Sequence, residues 1–149
     1  MHDTAVHWPA WAYVPGRTER HADGAFDTIR ATACLGMSPR ALALSAAMRH
    51  GFAYAEARFF WEAHEVLEPV WMALPNGSAE RDLVQGLIQT VNGLLKIRMD
   101  RPKAARRLSK IAGDLICSAA PKAIPEFEPA RVRAIYLALS TDQSLQNNA

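Results

Sequence analysis

One segment of the chain, FFWEAHEVLEPVW at Phe59–Trp71, places a histidine and three carboxylates among large apolar side chains. On a helix, His64 and Glu68 lie one turn apart at the edge of an apolar face, whereas Glu62 points away from them. Charged groups in such surroundings need hydrogen-bond partners. The segment therefore predicts either a polar site or a pair of side chains that satisfy each other and serve only packing.

The first chemical interpretation of this segment is a divalent-metal site. The spacing His64-Glu65-x-x-Glu68 is similar to the zinc-protease pattern H-E-x-x-H, with glutamate in place of the second histidine. His64 and Glu68 would be the metal ligands, and His64 and Glu65 are the catalytic candidates. A third ligand is missing, for which His21 and Glu62 are the candidates. Apart from such an ion, the sequence predicts no cofactor.

The second interpretation is a polar pocket without a metal. The helix predicted from Ser78 to about Met99 carries a stripe of amides bordered by Gly86 and Gly93, which predict close approach of another helix or a ligand. Amides suit buried carboxylates because they offer both donors and acceptors. The close contact that these glycines permit would bring the amides opposite the carboxylates of Phe59–Trp71. We expect there a pocket for a small cationic or polar ligand, or a peptide, lined by Trp61, Glu62, His64, Glu65, Glu68, Gln85, Gln89 and Asn92.

The third interpretation is a surface that binds nucleic acid or an acidic partner. Seven basic residues lie between Lys96 and Lys110, against the single acid Asp100. Such a patch attracts polyanions, although no reader motif accompanies it and a solvated helix face has the same composition. The net charge of +2 is too small to argue for nucleic acid by itself. Of these seven residues, the five that we predict to form the binding patch are Arg101, Lys103, Arg106, Arg107 and Lys110.

Helical periodicity recurs along the chain, and no alternating strand pattern appears. It predicts an all-α fold, a compact bundle of about five helices with faint tetratricopeptide-like hairpin character. We expect an extended arm over residues 1–37 packed on the body, a single helical domain over 38–140 and a frayed tail over 141–149.

Local signals predict where several helices begin and end. Ser38-Pro39 begins a short helix that ends near Gly51, and Asp100 caps the helix that has Pro102 in its first turn. Pro69 lacks a backbone donor, so the central helix either bends there or ends before Trp71.

Composition limits the class of protein. A chain of 149 residues, of which 50% are hydrophobic and 21% charged, is sufficient for one globular domain. Cys34 and Cys117 lack metal-ligand spacing and predict reduced thiols in a cytoplasmic protein. No signal peptide and no apolar run of about 20 residues is present, so no membrane association is predicted. The partner is an unknown small molecule or protein, and the sequence does not determine the oligomeric state.

Three motifs resemble the domain-of-unknown-function 309 family, a group of small helical bacterial, archaeal and plastid proteins. They are FWEAHEVLEPVW at Phe60–Trp71, QGLIQ at Gln85–Gln89 and RPKAARRL at Arg101–Leu108, and YVPG at Tyr13–Gly16 is similar to the arm of longer members. The resemblance covers roughly residues 45–118. It implies a helical fold and implies that the signature positions are Trp61, Glu62, His64, Glu65, Glu68, Gln85 and Gln89.

Two residues depart from the family pattern. Pro69 stands where an ordinary helix former is usual, which puts the placement of Trp71 in doubt, and Arg101 replaces a glycine-type turn. The resemblance implies no activity, so whether the protein is an enzyme stays open.

Overall fold

The computed structural model describes residues 5–147, with side chains described as far as residue 142. Within these residues the chain forms helices and no strand, which confirms the predicted all-α fold. The helices are α1 (Asp27–Arg30), α2 (Pro39–Ala43), α3 (Ala46–Glu56), α4 (Phe60–Ala73), α5 (Ala79–Arg98), α6 (Pro102–Ala119) and α7 (Pro129–Asn147), with a 3-10 turn at Pro125–Phe127. Helices α3 to α7 are the five long ones. None of the helices between residues 5 and 147 is long and apolar enough to cross a membrane.

Two predicted segments extend beyond the described residues. Residues 1–4 of the predicted arm and residues 148–149 of the predicted frayed tail lie outside them. Helix α7 includes the tail as far as Asn147.

Each long helix packs against the next one in the chain, and α5 also contacts α7. The side chains between these helices are fully buried, among them Leu67 of α4, Leu83 and Leu87 of α5, and Leu139 of α7. Burial of one such leucine stabilises the fold by about 1.5–3 kcal/mol. This apolar core fixes α4 between α3 and α5, and it therefore determines which sides of α4 remain available for polar contacts.

Serine side chains cap three helices. Ser38 Oγ, Ser45 Oγ and Ser78 Oγ each accept a hydrogen bond from a backbone N–H in the first turn of the following helix. The predicted starts at Ser38 and Ser78 are confirmed. The predicted helix end near Gly51 is wrong, because Gly51 lies inside α3, where Leu67 occupies the space that a Cβ would need. The break lies instead at Ser45, which begins α3.

Gly86 and Gly93 permit close packing, but against different helices from the one predicted. A Cβ on Gly86 would lie 2.6 Å from Ile116 Cγ1 of α6. A Cβ on Gly93 would lie 2.8 Å from Leu139 Cδ2 of α7. The predicted approach of another helix is confirmed. The prediction that these glycines bring α5 close to the carboxylates of α4 is wrong.

Asp100 does not cap α6 as predicted. Its φ of 57° places it in the left-handed region, and its N–H donates to the carbonyl of Ile97 at 3.1 Å, which ends α5. The N-cap position of α6 belongs to Arg101. Aspartate tolerates left-handed geometry better than most residues, and its carboxylate accepts a 2.5 Å hydrogen bond from Arg17.

Residues 5–24 of the predicted arm, here called the leading segment, form no helix. The backbone N–H of His7 donates to His50 Nε2 of α3 at 3.1 Å, and the Tyr54 hydroxyl donates to the carbonyl of His7. Trp8 packs against the rings of Tyr54 and Phe59 at centroid distances of 6.0 and 5.8 Å. The leading segment therefore lies along α3 and reaches the start of α4.

Candidate functional site

Helix α4 continues through Pro69 to Ala73, so Trp71 belongs to the same helix as His64. Proline has no backbone N–H to donate to the carbonyl four residues earlier in the helix. For Pro69 that carbonyl belongs to Glu65. Arg30 of α1 donates a side-chain hydrogen bond to that carbonyl. An arginine from a separate helix thus replaces the donor that the proline removes.

The predicted His64–Glu68 pair forms, with Arg30 as an additional member. His64 Nε2 lies 3.5 Å from Glu68 Oε2, and the two side chains are 30% and 38% exposed. Arg30 Nη2 lies 3.4 Å from Glu68 Oε1, and Arg30 Nη1 lies 3.7 Å from Glu65 Oε2. Arg30 was not among the predicted site residues, since nothing in the local pattern around it indicates a contact with α4.

The predicted metal site lacks its third ligand. His21 and Glu62 were the two candidates, and they are bonded to each other, with His21 Nε2 2.6 Å from Glu62 Oε2. No three histidine, cysteine, aspartate or glutamate side chains in the part of the chain that the structure describes are placed to hold a metal ion together. His64 and Glu68 are therefore better described as members of the ion-pair cluster around Arg30.

Glu62 is the most deeply buried carboxylate of α4, with an exposure of 0%. Besides His21, its Oε2 accepts a 2.7 Å hydrogen bond from the backbone N–H of Tyr13. Its other oxygen, Oε1, is buried and has no hydrogen-bond partner among the described residues. Glu62 points away from His64, as predicted. It is covered by the leading segment and does not face solvent. The aromatic residues Trp11 and Tyr13 were the signal that this segment covers apolar surface.

Aromatic rings enclose the His21–Glu62 pair. The His21 ring stacks on Trp11 at 4.8 Å and meets the edge of Phe26 at 5.2 Å. Tyr54 also lies close to the pair. Burial raises the pKa of its hydroxyl to about 12, and the Glu62 carboxylate adds to that rise. The enclosure keeps water away from the pair and so strengthens the interaction between its members.

A cavity of about 310 Å³ opens beside this pair, where the leading segment, α1 and α4 meet. We call it the Trp61 cavity. Of the predicted ligand-binding residues, Trp61 and Glu65 line it. The other charged or titratable side chains of its wall come from the leading segment and α1, and they are Arg20, His21, Asp23, Asp27 and Arg30.

The predicted amide residues of α5, Gln85, Gln89 and Asn92, do not line the Trp61 cavity. Gln85 lines a shallow groove with residues of α6, including Ile111 and Asp114. Within residues 5–142, no hydrogen bond or ion pair joins Gln85, Gln89 or Asn92 to a carboxylate of α4. The structure therefore provides no contact that supports a pocket shared by the two stripes.

The five residues of the predicted basic patch are all exposed. Lys103, Arg106, Arg107 and Lys110 lie on one side of α6, while Ala105, Ser109, Ala112 and Ile116 are buried on the other. None of the five cations takes part in an ion pair with any described carboxylate. The first half of α6 therefore presents four exposed cations on one side, and the exposed Asp114 follows them one turn after Lys110.

The comparison with protein families matches residues 48–108 to the model described as domain of unknown function (DUF309). Residues 48–108 are therefore similar to this family. The resemblance predicted from the three motifs is confirmed. The matched region contains all of α4 and α5, and hence every predicted ligand-binding residue. His21 and Arg30, which contact α4, lie outside it. Comparisons with curated proteins and with solved structures each found no match.

Proposed function

We propose that this protein binds a small polar ligand with a cationic group in the Trp61 cavity. The observation that carries the proposal is the charge of its wall. Asp23, Asp27 and Glu65 line the cavity with two arginines. One of these, Arg30, is engaged by the Glu65 carbonyl and by the carboxylates of Glu65 and Glu68, which leaves Asp23 and Asp27 against Arg20. The volume of about 310 Å³ lies within the range of small-molecule sites.

Trp61 supports the same choice of ligand. Trp61 lines the cavity, and a cation that reached the face of its indole ring would gain about 0.5–2 kcal/mol. Tyr13 packs edge-on against this ring at 5.1 Å and holds it in position. His64, a catalytic candidate, does not line the cavity, and we propose binding without assigning a reaction.

Isothermal titration with lysine, putrescine and ethanolamine tests the proposal, with acetate as the anionic comparison. We expect saturable binding of at least one of these amines and none of acetate. Glu65→Gln and Asp27→Asn should each weaken binding about tenfold, since each removes one carboxylate. The matched control is Asp114→Asn, which removes an exposed carboxylate of α6 and should have no effect. Absence of binding by all three amines, or tighter binding of acetate, would overturn the proposal.

The exposed face of α6 supports a second candidate function, binding of nucleic acid or another polyanion. Four cations on one side of α6 form no ion pair with a described carboxylate. On binding they would neutralise phosphates and release counterions, so retention should fall steeply with salt. The test is elution from heparin and from RNA with Arg106→Glu combined with Arg107→Glu. Lys122→Glu combined with Arg133→Glu gives the same change in charge at exposed positions elsewhere. We expect earlier elution of the first double variant only; equal shifts would contradict a specific surface.

We also propose that the protein is cytoplasmic. Cys34 and Cys117 are free thiols, and both are exposed. Exposed thiols persist in a reducing compartment, which is where unpaired cysteines are most often found.

A further inference from the structure

A second cavity, of about 330 Å³, lies where the end of α3, the start of α4 and the last turns of α5 meet α7. We call it the Arg98 cavity, and it shares no residue with the Trp61 cavity. Its apolar wall includes the buried side chains Phe60, Leu94 and Ile135. Two arginines, Arg58 and Arg98, also line it.

Arg58 is held in an unusual backbone conformation. Its φ is 70°, in the left-handed region that glycine favours. It occupies the position after the C-cap of α3, where its N–H donates to Ala55 O and the N–H of Phe59 donates to Tyr54 O at 2.8 Å. This pattern of bonds is the helix-ending motif that usually contains glycine. An arginine at this position costs stability but adds a guanidinium to the cavity wall, and such strain is typical of functional positions.

The two guanidinium groups have no carboxylate partner in the part of the chain whose side chains the structure describes. Within residues 5–142, neither Arg58 nor Arg98 makes a side-chain hydrogen bond or an ion pair, and Arg98 instead lies 5.3 Å above the ring of Phe60. Of the two acids at the cavity, Glu56 is bound by Arg131 through hydrogen bonds of 3.0 and 2.6 Å. Asp142 is the acid that remains. With partners counted among residues 5–142 alone, two unpaired cations thus share the cavity with one unpaired carboxylate.

We infer that the Arg98 cavity binds an apolar monocarboxylate of the medium-chain fatty acid class. Its hydrocarbon chain would pack against Leu94, Ile97 and Ile135, where burial of each methylene group is favourable. Its carboxylate would lie between Arg58 and Arg98, since the planar guanidinium group matches the geometry of a carboxylate. A dianionic head group fits less well because Asp142 lines the same cavity.

Titration of the full chain with octanoate, octanol and acetate separates the two parts of this inference. Octanoate should bind saturably, and octanol, which has the same chain without the charge, should bind about tenfold more weakly. Acetate, which has the charge without the chain, should not bind measurably. Octanol binding as tightly as octanoate, or no saturable binding of octanoate, would overturn the inference.

Four variants connect the binding to the named residues. Arg58→Gly relieves the left-handed backbone, so its melting temperature should equal or exceed that of the parent while octanoate binding weakens about tenfold. Arg98→Met keeps the packing on Phe60 and should weaken binding similarly. Asp142→Asn should tighten it. Arg106→Met removes an exposed charge of α6 and should leave binding unchanged; loss of binding in this control, or its retention in both Arg58→Gly and Arg98→Met, would contradict the assignment.

Discussion

Arg30 donates a hydrogen bond to the main-chain oxygen of Glu65. In an uninterrupted α-helix that oxygen would accept a hydrogen bond from the backbone N–H of residue 69. Residue 69 is a proline and has no N–H. A side chain from α1 therefore completes the hydrogen bonding of α4, and it does so beside the His64–Glu68 pair. The consequence is that α1 and α4 are coupled at the wall of the Trp61 cavity.

A double-mutant cycle measures this coupling. Arg30→Met should lower the free energy of unfolding by about 1–3 kcal/mol, because it leaves a part-buried carbonyl without a donor. In a Pro69→Ala background the helix supplies its own N–H, so the cost of Arg30→Met should fall by at least about half. Urea denaturation of the four proteins provides the values. An equal cost in both backgrounds would show that Arg30 acts only through the carboxylates.

Glu62 should be the main tether of the leading segment. Glu62→Ala removes the acceptor for Tyr13 N–H and His21, and we expect a loss of about 1–3 kcal/mol in the free energy of unfolding. Limited proteolysis should then cleave the leading segment faster. The control is Arg17→Ala, which removes the ion pair between Arg17 and Asp100. The two side chains of this pair are 53% and 84% exposed, and such exposed pairs contribute about 0–1 kcal/mol. Equal effects of the two substitutions would be inconsistent with a buried tether.

Tyr54 predicts a loss of stability in alkali. The pKa of Tyr54 is raised to about 12 from an ordinary value of 10.0, so the folded protein holds the proton more tightly than the unfolded chain. The contribution to stability is complete below pH 10, decreases as pH rises between these two values and is lost above the higher one. Tyr54→Phe should remove this component from the pH dependence of unfolding.

The Glu62 carboxylate contributes to the same shift. Glu62→Gln should therefore lower the pKa of Tyr54, as measured from tyrosinate absorbance during an alkaline titration. An unchanged late-titrating tyrosine in Tyr54→Phe would contradict the assignment, since the signal would then belong to Tyr13 or Tyr136.

Gly86 sets the separation of α5 and α6. Gly86→Ala places a Cβ 2.6 Å from Ile116 Cγ1, and overpacking of this kind typically costs about 1–3 kcal/mol. Thermal denaturation should show the loss, and combining it with Ile116→Ala should give less than the sum of the two effects. Gln85→Ala, one residue away on the partly exposed side of α5, should be close to neutral. Strict additivity would indicate that the helices move apart freely.

Signals that act within a few residues were sufficient for most of the fold. The serine caps at Ser38 and Ser78 and the apolar periodicity of α4 and α5 depend on neighbours within one or two turns, so they can be read from the chain. The prediction at Gly51 was wrong because glycine marks either a helix end or a close helix contact. Only the position of Leu67, sixteen residues further on, distinguishes the two.

The candidate site depended on distant contacts, which periodicity does not reveal. His64 and Glu68 are related by helical geometry alone, and their pairing was predicted. The His21–Glu62 bond joins residues 41 positions apart, and the contact of Arg30 with Glu65 spans 35. These contacts depend on how the leading segment crosses α4, which is determined by packing of its aromatic residues rather than by any local pattern.

The leading segment lies wholly outside the matched region of residues 48–108, yet it supplies His21 and much of the wall of the Trp61 cavity. The wall of this cavity is therefore composite, with Trp61 and Glu65 inside the matched region and the rest of its residues before it. Exchange of residues 5–24 would change what the Glu62 side of α4 faces while leaving the sequence of residues 48–108 as it is. For the proposed amine site, grafting of a different leading segment would thus be a direct way to alter the charge around the ligand.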